Sequence, residues 1–290
     1  MYRTIMVLHN TETPMSSATA ALLAEKTSFL AGKEADPAQL AAWAEAFNRD
    51  GYIFITDVLP PERCAELRED LASQITDSNG PIACRHRMFE KSQANLDLFD
   101  LEPIVTLAET ILGEDNRYGR QTAHVVHNNA FRTRNGGGFS DWHQDESPHF
   151  VVTHGEAPTN IHLPCLSLTC NYYLTDQEGA EYGCGQVLPG SHKWGIQLPK
   201  ELAGTPFESK IVSCGGKQGS VMIFNSQVWH RGAPNHSDRD RYVTQVTYGR
   251  RMVGHYFAPF MNYQMPAHCL EGANPRRRRL LGFKVNGAYG

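Results

Sequence analysis

Residues 220–230, Ser-Val-Met-Ile-Phe-Asn-Ser-Gln-Val-Trp-His, join an uninterrupted apolar run to a short polar turn and a histidine. An apolar run of this length, rich in β-branched and aromatic side chains, is typical of a buried strand. Similar short runs, separated by Gly, Pro and Asn, fill the chain beyond Tyr118 (122–126, 166–174, 185–188 and 242–248). Several short strands with turns between them predict a β-sandwich or barrel.

The first part of the chain favours helices instead. Asp36-Pro37 and Pro60-Pro61 each have the residues of a helix start, and Asp50-Gly51 is predicted to end the first helix. A third helix is predicted from Leu101 to Leu112, before Gly113. The helices precede the strands, so the pattern does not indicate a doubly wound parallel sheet. We expect a mainly β fold, in which N-terminal helices buttress a jelly-roll core of about residues 118–256.

The chain is expected to form one domain, residues 36–290, after a partly disordered N-terminal extension, residues 1–35. Met1 and Met15 both fit as a natural start. The net charge of −4 and the pI of about 6.3 provide no overall basic field, so binding to nucleic acid or to a membrane surface is not expected. The arginine run 276–279 is interpreted as a solvated face or a helix end.

Seven cysteines are scattered along the 290 residues, and no two of them form a Cys-x-x-Cys pair. An odd, scattered set indicates neither a disulfide framework nor a thiolate zinc site, and reduced thiols favour a cytoplasmic protein. The apolar patch at the start lacks the length of a signal-peptide core. A monomer or a homodimer is expected.

Trp142-His143-Gln144-Asp145 contains a histidine and an aspartate two residues apart. In a strand these two side chains leave the same face, about 7 Å apart along it. His230 is the last residue of the segment 220–230 and can join these two side chains from a neighbouring strand. Two histidines and one carboxylate on one side of a metal suit non-haem Fe(II) and leave positions open for oxygen and substrate. The His-x-Asp pair alone is a weak signal, and the β-rich setting with His230 strengthens it.

Two further residues bear on the chemistry of such a site. Arg241 lies eleven residues after His230 and opens the predicted strand 242–248. Its guanidinium can hold a carboxylate with two hydrogen bonds, or it can pair at the surface with Asp238 or Asp240. His149 is a rival metal ligand, because a His143, Asp145 and His149 set resembles a hydrolytic zinc site.

Four features together resemble the phytanoyl-CoA dioxygenase family of Fe(II)- and 2-oxoglutarate-dependent oxygenases. The segment 47–52 resembles the helix-to-strand entry at the start of the family's domain, and residues 142–145 resemble its His-x-Asp motif. Residues 174–176 and 185–192 are similar to its Asp…Gly…Pro-Gly-Ser-His signature. His230 and Arg241 follow at the family's usual separation. The resemblance spans most of the chain, from about residue 47 to residue 241.

The resemblance implies a double-stranded β-helix in which Fe(II) is bound by His143, Asp145 and His230. Arg241 is then expected to bind the distal carboxylate of 2-oxoglutarate, and Asn128 falls where relatives often place a polar side chain on this cosubstrate. Some relatives carry a serine two residues after the distal histidine, where this chain has Gly232. A different hydroxyl, that of Thr244, is expected to serve instead. The substrate is expected near His127 and Phe139.

The function implied by the resemblance is oxidation, chiefly hydroxylation, of a small molecule with O2, releasing succinate and CO2. A secondary metabolite and a primary metabolite are both open as substrates. Asp145 argues against halogenation, because related halogenases leave that position small for chloride. The alternatives are a non-catalytic cupin-like binding protein and the zinc hydrolase based on His149. Iron-dependent turnover of 2-oxoglutarate distinguishes the three.

Overall fold

A computed structural model describes residues 29–113, 123–145, 149, 151–152, 154–156, 163–254 and 263–283. Within these ranges the helices are α1 (Pro37–Asp50), α2 (Pro61–Gln74), α3 (Gln93–Asp97), α4 (Ile104–Leu112), α5 (Ala267–Leu270) and α6 (Pro275–Leu280). The strands are β1 (Tyr52–Ile55), β2 (Ile82–His86), β3 (His124–Thr133), β4 (Ser167–Tyr173), β5 (Gly185–Val187), β6 (Val212–Cys214), β7 (Val221–Asn225), β8 (His230–Gly232) and β9 (Arg241–Gly249).

Helix α1 begins and ends where the sequence predicts. The Asp36 side chain accepts a hydrogen bond from the Ala38 backbone N–H, so the cap satisfies a donor of the first turn. Gly51 ends the helix in the left-handed region, at φ 82°, which a glycine adopts without strain. The chain therefore turns directly from α1 into β1.

Two antiparallel sheets form the β core. The large sheet has the strand order β1-β7-β4-β9-β3-β2, and the small sheet has the order β6-β5-β8. Neighbours in the large sheet, such as β4 and β9, are far apart in sequence, which is how a jelly roll differs from a simple meander. The fold class expected from the sequence, a double-stranded β-helix with N-terminal helices, is confirmed.

Alternate residues of the large sheet face two different environments. On β9, Val246 and Tyr248 pack in the main hydrophobic core with the helices, whereas Val243 faces the interior between the sheets. The Tyr248 hydroxyl lies within hydrogen-bonding distance of the carbonyl oxygens of Leu98 and Phe99, which ties β9 to the helical layer. This alternation decides which side chains reach the space between the two sheets.

Several elements differ from the sequence-based expectation. Strand β3 extends to Thr133, well beyond the predicted end at Val126, because its polar residues face the interior and hide the strand pattern. The arginine run lies in the short helix α6 and reaches its last turn, so its interpretation as a helix end is confirmed, whereas a solvated face is wrong for Arg276 and Arg279. Arg276 and Arg279 both pair with Glu109 of α4, whose side chain is buried.

Among the residues that the structure describes, no helix has both the length and the apolar character needed to cross a membrane. The predicted strand 122–126 falls partly outside the described residues, as do residues 1–28 of the expected N-terminal extension.

Candidate metal centre

His143 and His230 are brought together by the backbone. The two residues form an isolated antiparallel bridge, in which each N–H donates to the carbonyl oxygen of the other at 3.0 Å. His230 opens β8, while His143 lies outside the named strands. Their ring centroids are 4.3 Å apart. Two hydrogen bonds therefore fix two side chains that are 87 positions apart in the sequence.

The same backbone decides which ring nitrogen of each histidine is available. The Nδ1 atom of His143 lies 2.7 Å from the Asp141 carbonyl oxygen, and that of His230 lies 2.9 Å from the Val228 carbonyl oxygen. A carbonyl only accepts, so each Nδ1 carries the proton and each Nε2 presents its lone pair. This arrangement is the one that metal-binding histidines require.

Asp145 completes the group. Its Oδ1 lies 3.6 Å from His230 Nε2 and 3.9 Å from His143 Nε2. One ligand atom from each of the three residues lies within 4.8 Å of the others. Gln227 Nε2 donates to the Asp145 backbone carbonyl at 3.0 Å, and Thr169 Oγ1 lies 3.5 Å from the other carboxylate oxygen. Asp145 is thus held through both its backbone carbonyl and its side chain.

The electrostatics of the group favour a cation. Burial acts to raise the pKa of Asp145, but the neighbouring His230 and His143 outweigh it and hold that pKa below its ordinary value. Burial, followed by the proximity of His230, lowers the pKa of His143. Near neutral pH the Asp145 carboxylate is therefore charged while the His143 imidazole is neutral. Two nitrogens and one oxygen on one side fit Fe(II) and leave positions open.

His149 does not join this group. Among the described residues, the His, Cys, Asp and Glu side chains that could hold a metal together are His143, Asp145 and His230. The backbone N–H of His149 donates to Gln227 Oε1 at 2.7 Å. Burial lowers the pKa of its imidazole. The ligand set of the alternative zinc hydrolase is not assembled.

A cavity of about 240 Å³ lies over the three ligands. Its aromatic wall includes Phe131 and Phe139, whose rings meet edge to face with centroids 5.3 Å apart. Phe224 packs on the His230 ring at 4.3 Å between centroids. Apolar walls of this kind reduce the access of water to a metal. The remaining wall is polar and is formed by side chains of β2, β3, β4 and β9 (His86, Asn129, Asn171, Gln245 and Arg241).

Arg241 lies in this cavity and is only 5 % exposed. Its Nε donates to Gln177 Oε1 at 3.1 Å, while its Nη1 is buried without a hydrogen-bond partner among the described residues. Burial lowers the pKa of the guanidinium, because desolvation disfavours the charge. Asp240 pairs with Arg134 instead, at 3.7 Å. A buried cation with an unsatisfied donor fits a carboxylate ligand.

The structure does not bring Asn128 or Thr244 into the cavity, and both expectations are corrected. Asn128 Oδ1 accepts from the Phe89 N–H at 2.8 Å, and its Nδ2 donates to the Gln245 carbonyl at 2.9 Å. The Thr244 hydroxyl donates to Asn95 Oδ1 at 2.6 Å. Each lies one residue away from a cavity-lining neighbour, so its side chain leaves the opposite face of the sheet.

The two residues expected near the substrate have different positions. Phe139 lines the cavity and is 40 % exposed, so it lies at the mouth. His127 is on the interior face of β3, where its Nδ1 accepts from Asn129 Nδ2 at 3.0 Å. Burial lowers the pKa of His127 to about 4, although the nearby Asp145 acts to raise it. His127 is therefore neutral and engaged within the polar wall.

This polar wall was not predicted from the sequence. Gln245 faces Asn171 of β4 on one side and Asn129 of β3 on the other, and Asn129 faces His86 of β2. His86 Nδ1 lies 2.9 Å from Asn129 Oδ1. The sequence signal was that Arg241, Val243 and Gln245 follow one another at two-residue spacing, which places all three on one strand face. The registers of β3 and β4 could not be obtained from spacing.

Comparisons with known proteins agree with this geometry. Ectoine dioxygenase from Nocardia farcinica (strain IFM 10152) is 27 % identical over 228 residues, which cover 65 % of this chain and 70 % of that protein. A second relative is HygX from Streptomyces hygroscopicus, whose structure was solved with nickel and 2-oxoglutarate bound. Its TM-score is 0.59 at 16 % identity, and the superposition covers 77 % of this chain and 90 % of the HygX chain.

A second solved structure is the non-haem α-ketoglutarate-dependent carbocyclase SnoK from nogalamycin biosynthesis. Its TM-score is 0.58 at 17 % identity, and the superposition covers 77 % of this chain and 88 % of the SnoK chain. At these identities the two structures establish the fold alone. The family model described as phytanoyl-CoA dioxygenase (PhyH) matches residues 47–243, more than half of the chain. The chain therefore belongs to the phytanoyl-CoA dioxygenase family of Fe(II)- and 2-oxoglutarate-dependent oxygenases.

Proposed function

We propose that the protein hydroxylates a small-molecule substrate with O2 and 2-oxoglutarate, releasing succinate and CO2. The observation that carries this proposal is the pairing, in one cavity, of a His-Asp-His ligand set with a buried arginine, one donor of which has no partner in the described part of the chain. The first is a binding site for iron, and the second is a binding site for a carboxylate.

The residues present fit both absent groups. His143, Asp145 and His230 would hold Fe(II), and Arg241 would receive the distal carboxylate of 2-oxoglutarate through Nη1. When bound, iron and 2-oxoglutarate together supply the oxidising power that removes hydrogen from a carbon of the substrate. Asp145 also occupies the position that halogenating relatives leave free for chloride, which favours hydroxylation over halogenation.

The protein contributes three things to this chemistry. The two carbonyl oxygens behind the histidines keep both Nε2 atoms directed at the metal. The buried guanidinium of Arg241 orients an anion, because its remaining donors have fixed directions. Phe131 and Phe224 cover the ligands with apolar surface and limit water, which would otherwise compete for open metal positions.

The substrate class follows from the cavity and from the relatives. A cavity of about 240 Å³ that opens beside Phe139 suits part or all of a small molecule. The relatives support such a substrate, since one is an ectoine dioxygenase and others act in nogalamycin biosynthesis. We therefore extend the proposal to a secondary metabolite or a similar small molecule.

The test is a screen for substrate-stimulated succinate release, with the products read by mass. A gain of one oxygen identifies hydroxylation, and a loss of two hydrogens identifies desaturation. Asp145→Ala should abolish iron-dependent turnover, because two histidines without the carboxylate hold Fe(II) poorly. Asp238→Ala is the matched control, since this exposed aspartate is neither a metal ligand nor part of the cavity lining and should leave turnover unchanged.

Each other outcome contradicts the proposal in a different way. Full activity of Asp145→Ala would remove the metal assignment. Zinc-dependent hydrolysis without succinate would favour the hydrolase alternative. Tight binding of a small molecule to the iron-loaded protein, with no turnover of 2-oxoglutarate under any condition, would favour a non-catalytic binding protein.

A further inference from the structure

Asn171 is a cavity residue that the proposed chemistry leaves without a role. It lies on β4 and lines the same cavity as the metal ligands and Arg241. Its Oδ1 atom is buried and has no hydrogen-bond partner among the described residues. A buried amide with an unsatisfied atom is unfavourable unless a ligand completes its hydrogen bonds. Asn171 therefore indicates a ligand group at this point of the wall.

The strand places Asn171 between the two ends of the cosubstrate site. Two residues earlier, Thr169 approaches the carboxylate of Asp145 at 3.5 Å. Two residues later, Tyr173 pairs with Val243, which is itself two residues from Arg241. A step of two residues along a strand is about 7 Å. Along β4, Asn171 therefore lies between the end nearest the metal ligands and the end nearest Arg241.

Three other positions near this route are unable to supply a donor for the cosubstrate. Gly232 has no side chain, and the Thr244 hydroxyl is bonded to Asn95 on the opposite face of the sheet. The Tyr173 hydroxyl accepts from the Gly185 N–H at 3.1 Å and donates to the Cys214 carbonyl at 2.8 Å. The single proton of that hydroxyl is therefore not available for a carboxylate. Beside Arg241, the side chain left to hold the cosubstrate on β4 is the amide of Asn171.

We infer that Asn171 is the second anchor of 2-oxoglutarate and takes the place of the hydroxyl that some relatives carry two residues after the distal histidine. A half-turn of the amide exchanges Nδ2 and Oδ1, so that Nδ2 donates to a carboxylate oxygen from the position that Oδ1 occupies here. Asn171 positions the cosubstrate and takes no proton or electron. The inference rests on the role proposed for Arg241.

The experiment measures equilibrium binding of 2-oxoglutarate by calorimetry, with the protein loaded with Ni(II) so that no turnover occurs. Asn171→Leu should raise Kd at least about tenfold, because it removes a hydrogen bond to a charged group. Asn171→Asp should raise Kd further, because a second carboxylate repels the ligand. Asn135→Leu, an exposed asparagine outside the cavity, is the matched control and should leave Kd unchanged.

Two further measurements separate this role from a structural one. The affinity for Ni(II) alone should be unchanged in both Asn171 variants, because Asn171 is not a metal ligand. Should Asn171→Leu fail to fold, Asn171→Ser replaces it and should show the same order of effects. If Asn171→Leu or its replacement binds 2-oxoglutarate within twofold of the wild type while Arg241→Met binds weakly, the inference is overturned and the proposed function stands. If Arg241→Met also binds normally, the role of Arg241 fails with it.

Discussion

At the scale of single residues, Gly232 shows how one position decides the shape of an anion site. A Cβ atom at Gly232 would lie 3.1 Å from Arg241 Nη1 and 3.6 Å from its Nη2. The missing side chain leaves room for the guanidinium to lie directly beside β8. The position is glycine because the arginine occupies the space, and the backbone at Gly232 has no positive φ that would require glycine.

We therefore predict that Gly232→Ser weakens the binding of 2-oxoglutarate, although some relatives carry serine at this position. The new side chain displaces the guanidinium by a few tenths of an ångström and disturbs its hydrogen bond to Gln177. Kd for 2-oxoglutarate should rise by about tenfold, the change expected for one hydrogen bond to a charged group. Gly254→Ser, where a Cβ meets open space, is the control. Tighter binding by Gly232→Ser would contradict the argument.

At the scale of elements, a turn holds the strand that carries His230. The segment 189–192, Pro-Gly-Ser-His, turns at Gly190, whose φ is 77°. The Ser191 hydroxyl accepts from the Trp229 N–H at 2.8 Å, and the Leu188 N–H donates to the Trp229 carbonyl at 2.9 Å. Both bonds fix the residue directly before His230. The turn thus acts on the metal centre through the backbone.

Ser191→Ala should lower both stability and metal affinity. It leaves the buried N–H of Trp229 without an acceptor, which costs about 1–3 kcal/mol of unfolding free energy. Because Trp229 precedes a metal ligand, the affinity for Ni(II) should fall as well. Urea unfolding and metal titration measure the two effects. Ser73→Ala, on the exposed face of α2, provides the comparison and should change neither. An unchanged metal affinity in Ser191→Ala would show that the turn acts on stability alone.

A second contact between elements ties α6 to α4. Glu109 is 4 % exposed and receives hydrogen bonds from Arg276, at 2.5 Å from its Nη2, and from Arg279. Arg276 also bonds Glu102 at 2.5 Å. A buried carboxylate between two guanidinium groups is satisfied only while both elements stay docked. The arginine run therefore serves as an attachment of the chain's last described helix.

Replacing both Arg276 and Arg279 by alanine should destabilise the protein by about 3–5 kcal/mol, because Glu109 is left buried and unpaired. Adding Glu109→Gln to the double variant should recover part of that loss, since a neutral amide costs less to bury than a carboxylate. Denaturant unfolding gives the free energies. Arg278→Ala is the control, because Arg278 stacks over Phe283 and has no ion pair with Glu109. A double variant as stable as the wild type would contradict this account.

At the scale of the whole molecule, many ionisable groups are buried in the neutral form. Burial raises the pKa of Cys64 and Cys184 to about 11 and that of Cys165 to about 12. Burial likewise raises the pKa of Tyr173 and Tyr248. In the unfolded chain the thiols lose their protons near pH 9, whereas the folded protein keeps them. The folded state therefore binds more protons than the unfolded state above pH 9.

The stability of the fold should thus be at its full value below about pH 9 and fall as the pH rises towards 12. Each buried thiol contributes a slope of up to about 1.4 kcal/mol per pH unit in that window. Urea unfolding at a series of pH values measures the slope. Cys165→Ala should lower stability at every pH yet flatten the decline, because one titrating group is removed. Parallel curves for variant and wild type would contradict the prediction.

Much of the architecture could be predicted from the chain because its signals are local. The cap at Asp36, the stop at Gly51 and the apolar run of β7 each depend on neighbours within a few residues. Asn128 and Thr244 were misplaced because each lies one residue from the correct face, and the face depends on pairing with distant strands. The polar wall on β2, β3, β4 and β9 was missed for the same reason.

The sequence by itself determined the ligand types, His143, Asp145 and His230, and the presence of an arginine at the right separation. Residue chemistry and short spacings carry that information, although His143 forms only an isolated bridge and Asp145 lies in a turn and not in the strand that the pair suggested. Only the tertiary structure decided that the two histidines are hydrogen-bonded through their backbones and that Arg241 is buried with a donor that no described residue satisfies. These properties arise from contacts between segments far apart in the chain, and such contacts exist only once the sheets have formed.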